Sequence, residues 1–297
     1  SLGLVGSEMC IRDSLNRAFI KQGLRILNHS PNLGVSSILK ESKIDSEVTD
    51  YHLGFVIGPR INAGGRVGKS SLGAELFLCN ENKIANVMAL RLGEFNNLRK
   101  KIEKAVEIKA VGMVHENDQI ICVNSKNWHP GVIGIVASRL VEKFNRPSIV
   151  ISEDEKLCRA SCRSVLNFDI GDLIVKAVGQ GLLLNGGGHK MAGGFTILKE
   201  NIEQFKDFLS DKYKKGASEI LKEYDYVLRI TNLNICLYDE VAKLSPFGPG
   251  NVKPRFLIKN CNLSFIKVVG NNHHSLLIED SYGNRTRGIA FSSVNQD

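Results

Sequence analysis

The segment from Gln119 to Ser152 constrains the fold more than any other. Gln119 to Asn124 (QIICVN) reads as a strand, Gly131 to Phe144 as an amphipathic helix, and Ser148 to Ser152 (SIVIS) as a second strand. Strand, helix and strand in about thirty residues form a crossover unit, which places the two strands side by side in a sheet buried on both faces. The next segments supply the cover. A strand is expected near Leu157 to Ser164, a helix from Ile170 to Gly181 and another near Ile202 to Tyr213. Together they predict an α/β domain over residues 118–215.

The flanking regions have other patterns. Leu15, Phe19, Leu24 and Leu27 recur at helical spacing until His29-Ser30-Pro31-Asn32 interrupts them, and Val35, Ile38 and Leu39 begin a short second helix. The string Gly58-Pro59-Arg60-Ile61-Asn62-Ala63-Gly64-Gly65-Arg66-Val67-Gly68 holds four glycines, two arginines and no acid, and reads as a loop. A long, charged helical segment from about Leu72 to Val114 reads as a connector over residues 71–117. Gly93 inside it costs about 1 kcal/mol against Ala, so a break or kink is expected there. After the lysine-rich turn at Lys212 to Lys215 the pattern becomes short and alternating. Tyr226 to Ile230, Arg255 to Asn260, Leu263 to Val269, His274 to Glu279 and Thr286 to Phe291 read as strands of a small β-barrel over residues 216–297. Residues 1–14 open on Ser1, lack the positive start of a signal peptide, and read as a leader foreign to the fold.

The 297 residues suit about two domains, and 43% hydrophobic with 24% charged residues describes an ordinary globular protein. No stretch approaches the ~18 uninterrupted apolar residues of a membrane span. Lysine and arginine number 39 against 31 acids, a formal charge of +8 with a pI near 9.1. That excess favours polyanions, nucleic acid first among them. The seven cysteines, Cys10, Cys79, Cys122, Cys158, Cys162, Cys236 and Cys261, form no CxxC pair. No metal site is expected from them, and a reducing cytoplasm fits.

The densest chemical signal is Gly186-Gly187-Gly188-His189-Lys190-Met191-Ala192-Gly193-Gly194. Three glycines before a histidine let backbone N–H groups approach an anion, and His189 can donate to phosphate. Arg60 and Arg66 in the glycine-rich string and Lys69 just after it bring three cations together. On a strand, Ser161 and Arg163 point to one face and offer a hydroxyl and a guanidinium to the same oxyanion. Trp128-His129-Pro130-Gly131 stands at a helix N-terminus, a place to receive an anion. Trp128 either stacks on a base or packs in the strand–helix loop. His273-His274 reads as an exposed turn pair.

The string GGGHKMAGG resembles the signature of the DHH-associated domain. GPRINAGGRVG, WHPGVIGIVASRLVEKFNRPSIVIS, SCRSVLNFDIGDLI and LSPFGPGNVKPRF stand around it in the order found in the RecJ family of single-stranded-DNA-specific exonucleases, within the DHH phosphoesterase superfamily. The resemblance runs from Leu15 to the end. It implies the C-terminal remnant of a DHH catalytic domain over 15–70, then the connector, the DHH-associated domain and a truncated OB-like barrel. It implies 5′→3′ hydrolysis of single-stranded DNA in repair and recombination, in the bacterial cytoplasm. A single-stranded-DNA-binding protein or a helicase is the implied protein partner. Substrate and phosphate contacts are implied at Arg60, Asn62, Arg66, Ser161, Arg163, Gly187, Gly188 and His189. The aspartates and histidines that hold two divalent ions, Mg or Mn, are expected upstream of Leu15, so no catalytic residue or metal ligand is expected here. Alone, the chain is expected to be inactive. The alternatives are a nucleic-acid-binding module without catalysis and an oligonucleotide or cyclic-dinucleotide phosphodiesterase of the same superfamily.

Overall fold

The structure is a computed structural model that describes residues 14–212, 224–248, 251–270, 273–291 and 293. The predicted leader up to residue 13 and Lys214-Lys215 of the lysine-rich turn lie outside the described residues. The chain divides into two compact units, one of residues 27–220 and one joining the first 26 residues to those from 221 onward.

The first helix, α1 (Ser14–His29), starts in the second unit and ends in the first. In the first unit, α2 (Leu33–Glu41) follows, opened by the Asn32 side chain, which accepts from the Gly34 N–H. Next, α3 (Asp50–His52) passes through one π-helical stretch (Leu53–Ile57) into α4 (Gly58–Val67). The glycine-rich string predicted as a loop is therefore helical. Pro59 stands in its first turn, where a missing N–H costs nothing.

The connector is two helices, α5 (Leu72–Leu78) and α6 (Asn82–Val111), and it breaks at Cys79–Glu81 instead of at Gly93. Gly93 lies in unbroken helix because the Glu41 carboxylate packs on it. A Cβ built there would lie 2.4 Å from Glu41 Oε1. Close approach explains this glycine, and a kink does not.

The crossover unit is present as β1 (Ile121–Lys126), α7 (Pro130–Phe144) and β2 (Ser148–Glu153), with β1 and β2 parallel. Then come β3 (Leu157–Arg163), α8 (Ile170–Gly179), β4 (Asn185–His189), β5 (Ala192–Leu198) and α9 (Ile202–Lys212). The sheet order is β1-β2-β3-β5-β4, antiparallel after the first pair. The alternating side chains build two cores. Val150, Ile121 and Val123 face α7, with Val106 and Ala110 of α6 behind. Ile149, Ile151, Cys158, Ala160 and Cys162 face α8 and α9, against Ile174 and Phe205. The run SIVI is continuously buried, with three apolar residues after Ser148, because both of its faces are covered.

The second unit holds β6 (Tyr226–Val227), α10 (Ile235–Ala242), β7 (Phe256–Leu257), β8 (Cys261–Val269), β9 (His273–Asp280) and β10 (Arg285–Ala290). The sequence pattern does not foretell α10, which the Asn234 side chain caps by accepting from the Leu237 N–H. Strands β8, β9 and β10 form an antiparallel meander, and β6 pairs with β7 in parallel. The expected barrel is thus an open pair of small sheets among the described residues. Three strands in one sheet are too few to curl into closure.

Candidate phosphate-binding site

The site forms where β3 meets the start of α7. Strand alternation puts Ser161 and Arg163 on the face that carries Val150, as the pairing of Val150 with Ser161 requires. Gly134 of α7 lies directly over them. A Cβ at that position would stand 2.9 Å from Ser161 Oγ and 3.4 Å from Arg163 Nη2. One turn earlier, Gly131 makes the same accommodation for α4, since its Cβ would stand 2.4 Å from the Arg66 carbonyl oxygen. Arg66 Nη1 donates to the Gly131 carbonyl at 2.7 Å. Residues three apart on a helix lie ~5–6 Å apart on one face, so Arg66 and Arg163 dock side by side on the first turns of α7.

Arg163 Nη1 donates to the Cys162 carbonyl at 2.8 Å, with Ser161 Oγ at 3.4 Å. Burial holds the Arg66 pKa below the usual arginine value; nearby Arg99 and Arg163 add to the effect and Glu103 opposes it. Such a lowering marks crowded cations in a poorly solvated place, where an oxyanion is favoured. Two guanidiniums and a hydroxyl can together bind a phosphate through charge-assisted hydrogen bonds.

The glycine string supplies the neighbouring floor. Cross-strand pairing sets Ser161 beside Gly194 and Gly187, and Arg163 beside Ala192 and His189. Residues directly opposite point to one face, so His189 stands two strands, ~10 Å, from Arg163 on the same side. Gly187, Gly188 and His189 are all exposed.

Other predicted residues are placed differently. Arg60 Nε donates to Glu41 Oε2 at 2.8 Å and Arg60 Nη1 to the Val56 carbonyl at 3.1 Å. Glu41 is the acid that the string itself lacks, so Arg60 is a structural ion pair. Lys69 is paired with Glu75, whose pKa is pulled below the usual range by hydrogen bonds from Lys69 and Ser71. Asn62 is exposed one helical turn before Arg66, on the same side of α4. Trp128 is 4% exposed, packed with Val106, Val132 and Val136, and is closed to base stacking. The helix N-terminus there is already satisfied, because Gly131 N–H donates to His129 Nδ1 and Val132 N–H to the His129 carbonyl. The paired histidines lie in β9, and His274 Nδ1 is 2.8 Å from Ser293 Oγ.

Sequence reasoning missed Arg99 and Glu103 of α6. Their spacing of four was visible, but their burial was not: they bond at 2.6 Å with side chains only 12% and 11% exposed. A cavity of about 650 Å3 beside β1, lined by His115, Asp118, Cys122 and Lys206 among others, takes in none of the predicted residues. Burial pushes the Cys122 thiol up to about 12, so it is no nucleophile at neutral pH.

The DHHA1 domain family matches residues 117–215 and the RecJ OB domain family matches residues 224–297, together more than half of the chain. The chain is 30% identical to the single-stranded-DNA-specific exonuclease RecJ of Bacillus subtilis over 92% of its own length and 36% of that protein's. It is 30% identical to the Haemophilus influenzae RecJ over 91% of its length and 50% of that protein's. A RecJ crystal structure from Thermus thermophilus in complex with Mg2+ superposes with a TM-score of 0.82 at 25% identity, covering 98% of this chain and 45% of that one.

The chain belongs to the RecJ family. It spans about half or less of the length of the RecJ proteins it matches. RecJ from Thermus thermophilus has also been solved with Mn2+. In this chain, no group of three His, Cys, Asp or Glu could hold a metal ion among the described residues. These residues do not fit such an ion. No described helix is long and apolar enough to cross a membrane.

Proposed function

We propose that this chain is the strand-gripping part of a RecJ-type exonuclease, which degrades single-stranded DNA from its 5′ end in bacterial DNA repair and recombination. The observation that carries the reading is the meeting of Arg66, Ser161 and Arg163 at the first turns of α7. In this reading the two arginines and the serine hold the terminal 5′ phosphate. Gly187, Gly188 and His189 let the following backbone lie close to the sheet, with Asn62 at the margin. Two divalent ions, Mg or Mn, supply the activated water in the whole protein, held by residues other than these. Residues 15–70 would close the catalytic domain, 71–117 connect it, 118–215 form the DHH-associated domain and 216–297 the OB domain. The setting is the cytoplasm, with a single-stranded-DNA-binding protein or a helicase as protein partner.

Arg163→Lys tests the reading because it keeps the charge but removes the planar fork. It is expected to weaken 5′-phosphorylated strands by ~1–3 kcal/mol more than 5′-hydroxyl strands. Equal weakening of both would reduce Arg163 to general basic surface. The purified chain is also expected to release no nucleotides with millimolar Mg2+ or Mn2+. Chelator-sensitive release would contradict that expectation.

A further inference from the structure

The arginines of this pocket already face a negative charge of the chain's own. Glu103 of α6, only 9% exposed as a residue, lies on the helix that packs against both α4 and α7. Its Oε2 accepts from Arg99 Nη1 at 2.6 Å, and its Oε1 lies 3.7 Å from Arg139 Nε of α7. Asn96, 1% exposed, accepts from Arg99 Nε and Nη2 at 3.3 and 3.0 Å. Arg99 is therefore held on its own helix by two neighbours. Arg139 has a second partner in Glu142 at 2.9 Å, but Glu142 is exposed and Glu103 is the buried carboxylate of the two. The α4 side of α6 is equally close: a Cβ at Gly68, two residues after Arg66, would run into the Phe95 ring, one turn before Arg99, and there the charges of Arg99 and Glu103 act on Arg66 in opposite senses.

From this arrangement we infer that Glu103 is a positioning residue that tempers the pocket: its fixed negative charge keeps Arg99 turned toward it and lowers the affinity for a 5′ phosphate. The inference rests on the phosphate reading of the pocket. It gives that reading a regulatory element, because an enzyme that steps along a strand must release each 5′ end it grips. Two arginines and a hydroxyl without a counter-charge beside them would release it slowly. A buried carboxylate weakens the grip without touching the anion, and its own desolvation is met by the arginine bonds.

The test compares Glu103→Gln and Glu103→Asp with the unaltered chain by titration with inorganic phosphate, a 5′-phosphorylated single strand and the 5′-hydroxyl strand. Glu103→Gln is expected to bind phosphate and the phosphorylated strand roughly three- to tenfold tighter, the effect of removing one unit charge from a partly screened neighbourhood. The hydroxyl strand should gain less, and Glu103→Asp, which keeps the charge, should stay close to the unaltered chain. If Glu103→Gln unfolds alone but refolds in phosphate, the anion has replaced the missing carboxylate, and the inference stands. Unchanged or weaker phosphate binding by a folded Glu103→Gln chain would overturn it, as would an unfolded one that phosphate does not restore. An unaltered chain indifferent to the 5′ phosphate would overturn the pocket itself. A selective unaltered chain with an unresponsive Glu103→Gln variant would overturn only the role of Glu103.

Discussion

The two units handle similar strands in opposite ways. In the first, Ile149, Ile151, Cys162, Ile174 and Phe205 are fully buried, and helices lie on both faces of the five-stranded sheet. In the second, Ile230 is the buried hydrophobic residue among those described, while Phe265 and Phe291 are 83% and 74% exposed. A parallel crossover carries its own covering helix, so a domain built on one closes its core as it forms. A meander of hairpins brings no cover, and its apolar face needs further strands or another surface. The proposed phosphate pocket lies in the closed unit, where packing can hold guanidiniums in fixed positions.

The largest expected effect tests that contrast directly. Phe205, which stacks edge-on against Phe195 at 5.0 Å, is expected to cost ~3–5 kcal/mol when replaced by alanine. Phe265→Ala should stay within about 0.5 kcal/mol, as exposed positions do. Urea unfolding of both variants measures the difference. A comparable loss at Phe265 would mean that the second unit covers its sheet in solution and that the contrast is false.

A smaller effect sharpens the same comparison, because order in the open unit rests on local polar bonds. Asp280 accepts from the backbone N–H groups of Tyr282 and Asn284 and from the Asn284 amide. Hydrogen bonds from the Asn284 side chain, above all, hold its carboxyl below the usual range. The folded-state pKa is depressed, so the contribution is present above the unfolded value and is lost as pH falls through the folded one. The stability gap between the unaltered chain and Asp280→Asn should therefore shrink on acidification from about pH 6 to about pH 2. A gap independent of pH would assign the turn to backbone geometry.

Legibility follows the same division. The period of the apolar residues reveals β1, α7, β2 and β3, because both partners of each crossover contact lie close in sequence. Ser161 and Arg163 are legible for the same reason, through strand alternation. The helix over Gly58–Val67 is hidden, since glycine count argues for a loop unless close packing against other helices requires it. Arg60 misleads because its acid, Glu41, lies 19 residues away. For Trp128 the sequence allows both packing and stacking, and only the approach of α6 to α7 settles its burial. The open sheets of the second unit cannot be read from strand spacing, which reports strands and says nothing of closure.

The most direct test of the central claim is the affinity of the unaltered chain for one short single strand, with and without a 5′ phosphate, across a salt series. The phosphorylated strand is expected to bind roughly tenfold tighter or more, the worth of one charge-assisted hydrogen bond of ~1.5–3 kcal/mol. With about four phosphates engaged, log K should fall against log salt with a slope near −3. Equal affinity for the two strands at every salt concentration would contradict the claim that Arg66, Ser161 and Arg163 read a 5′ end.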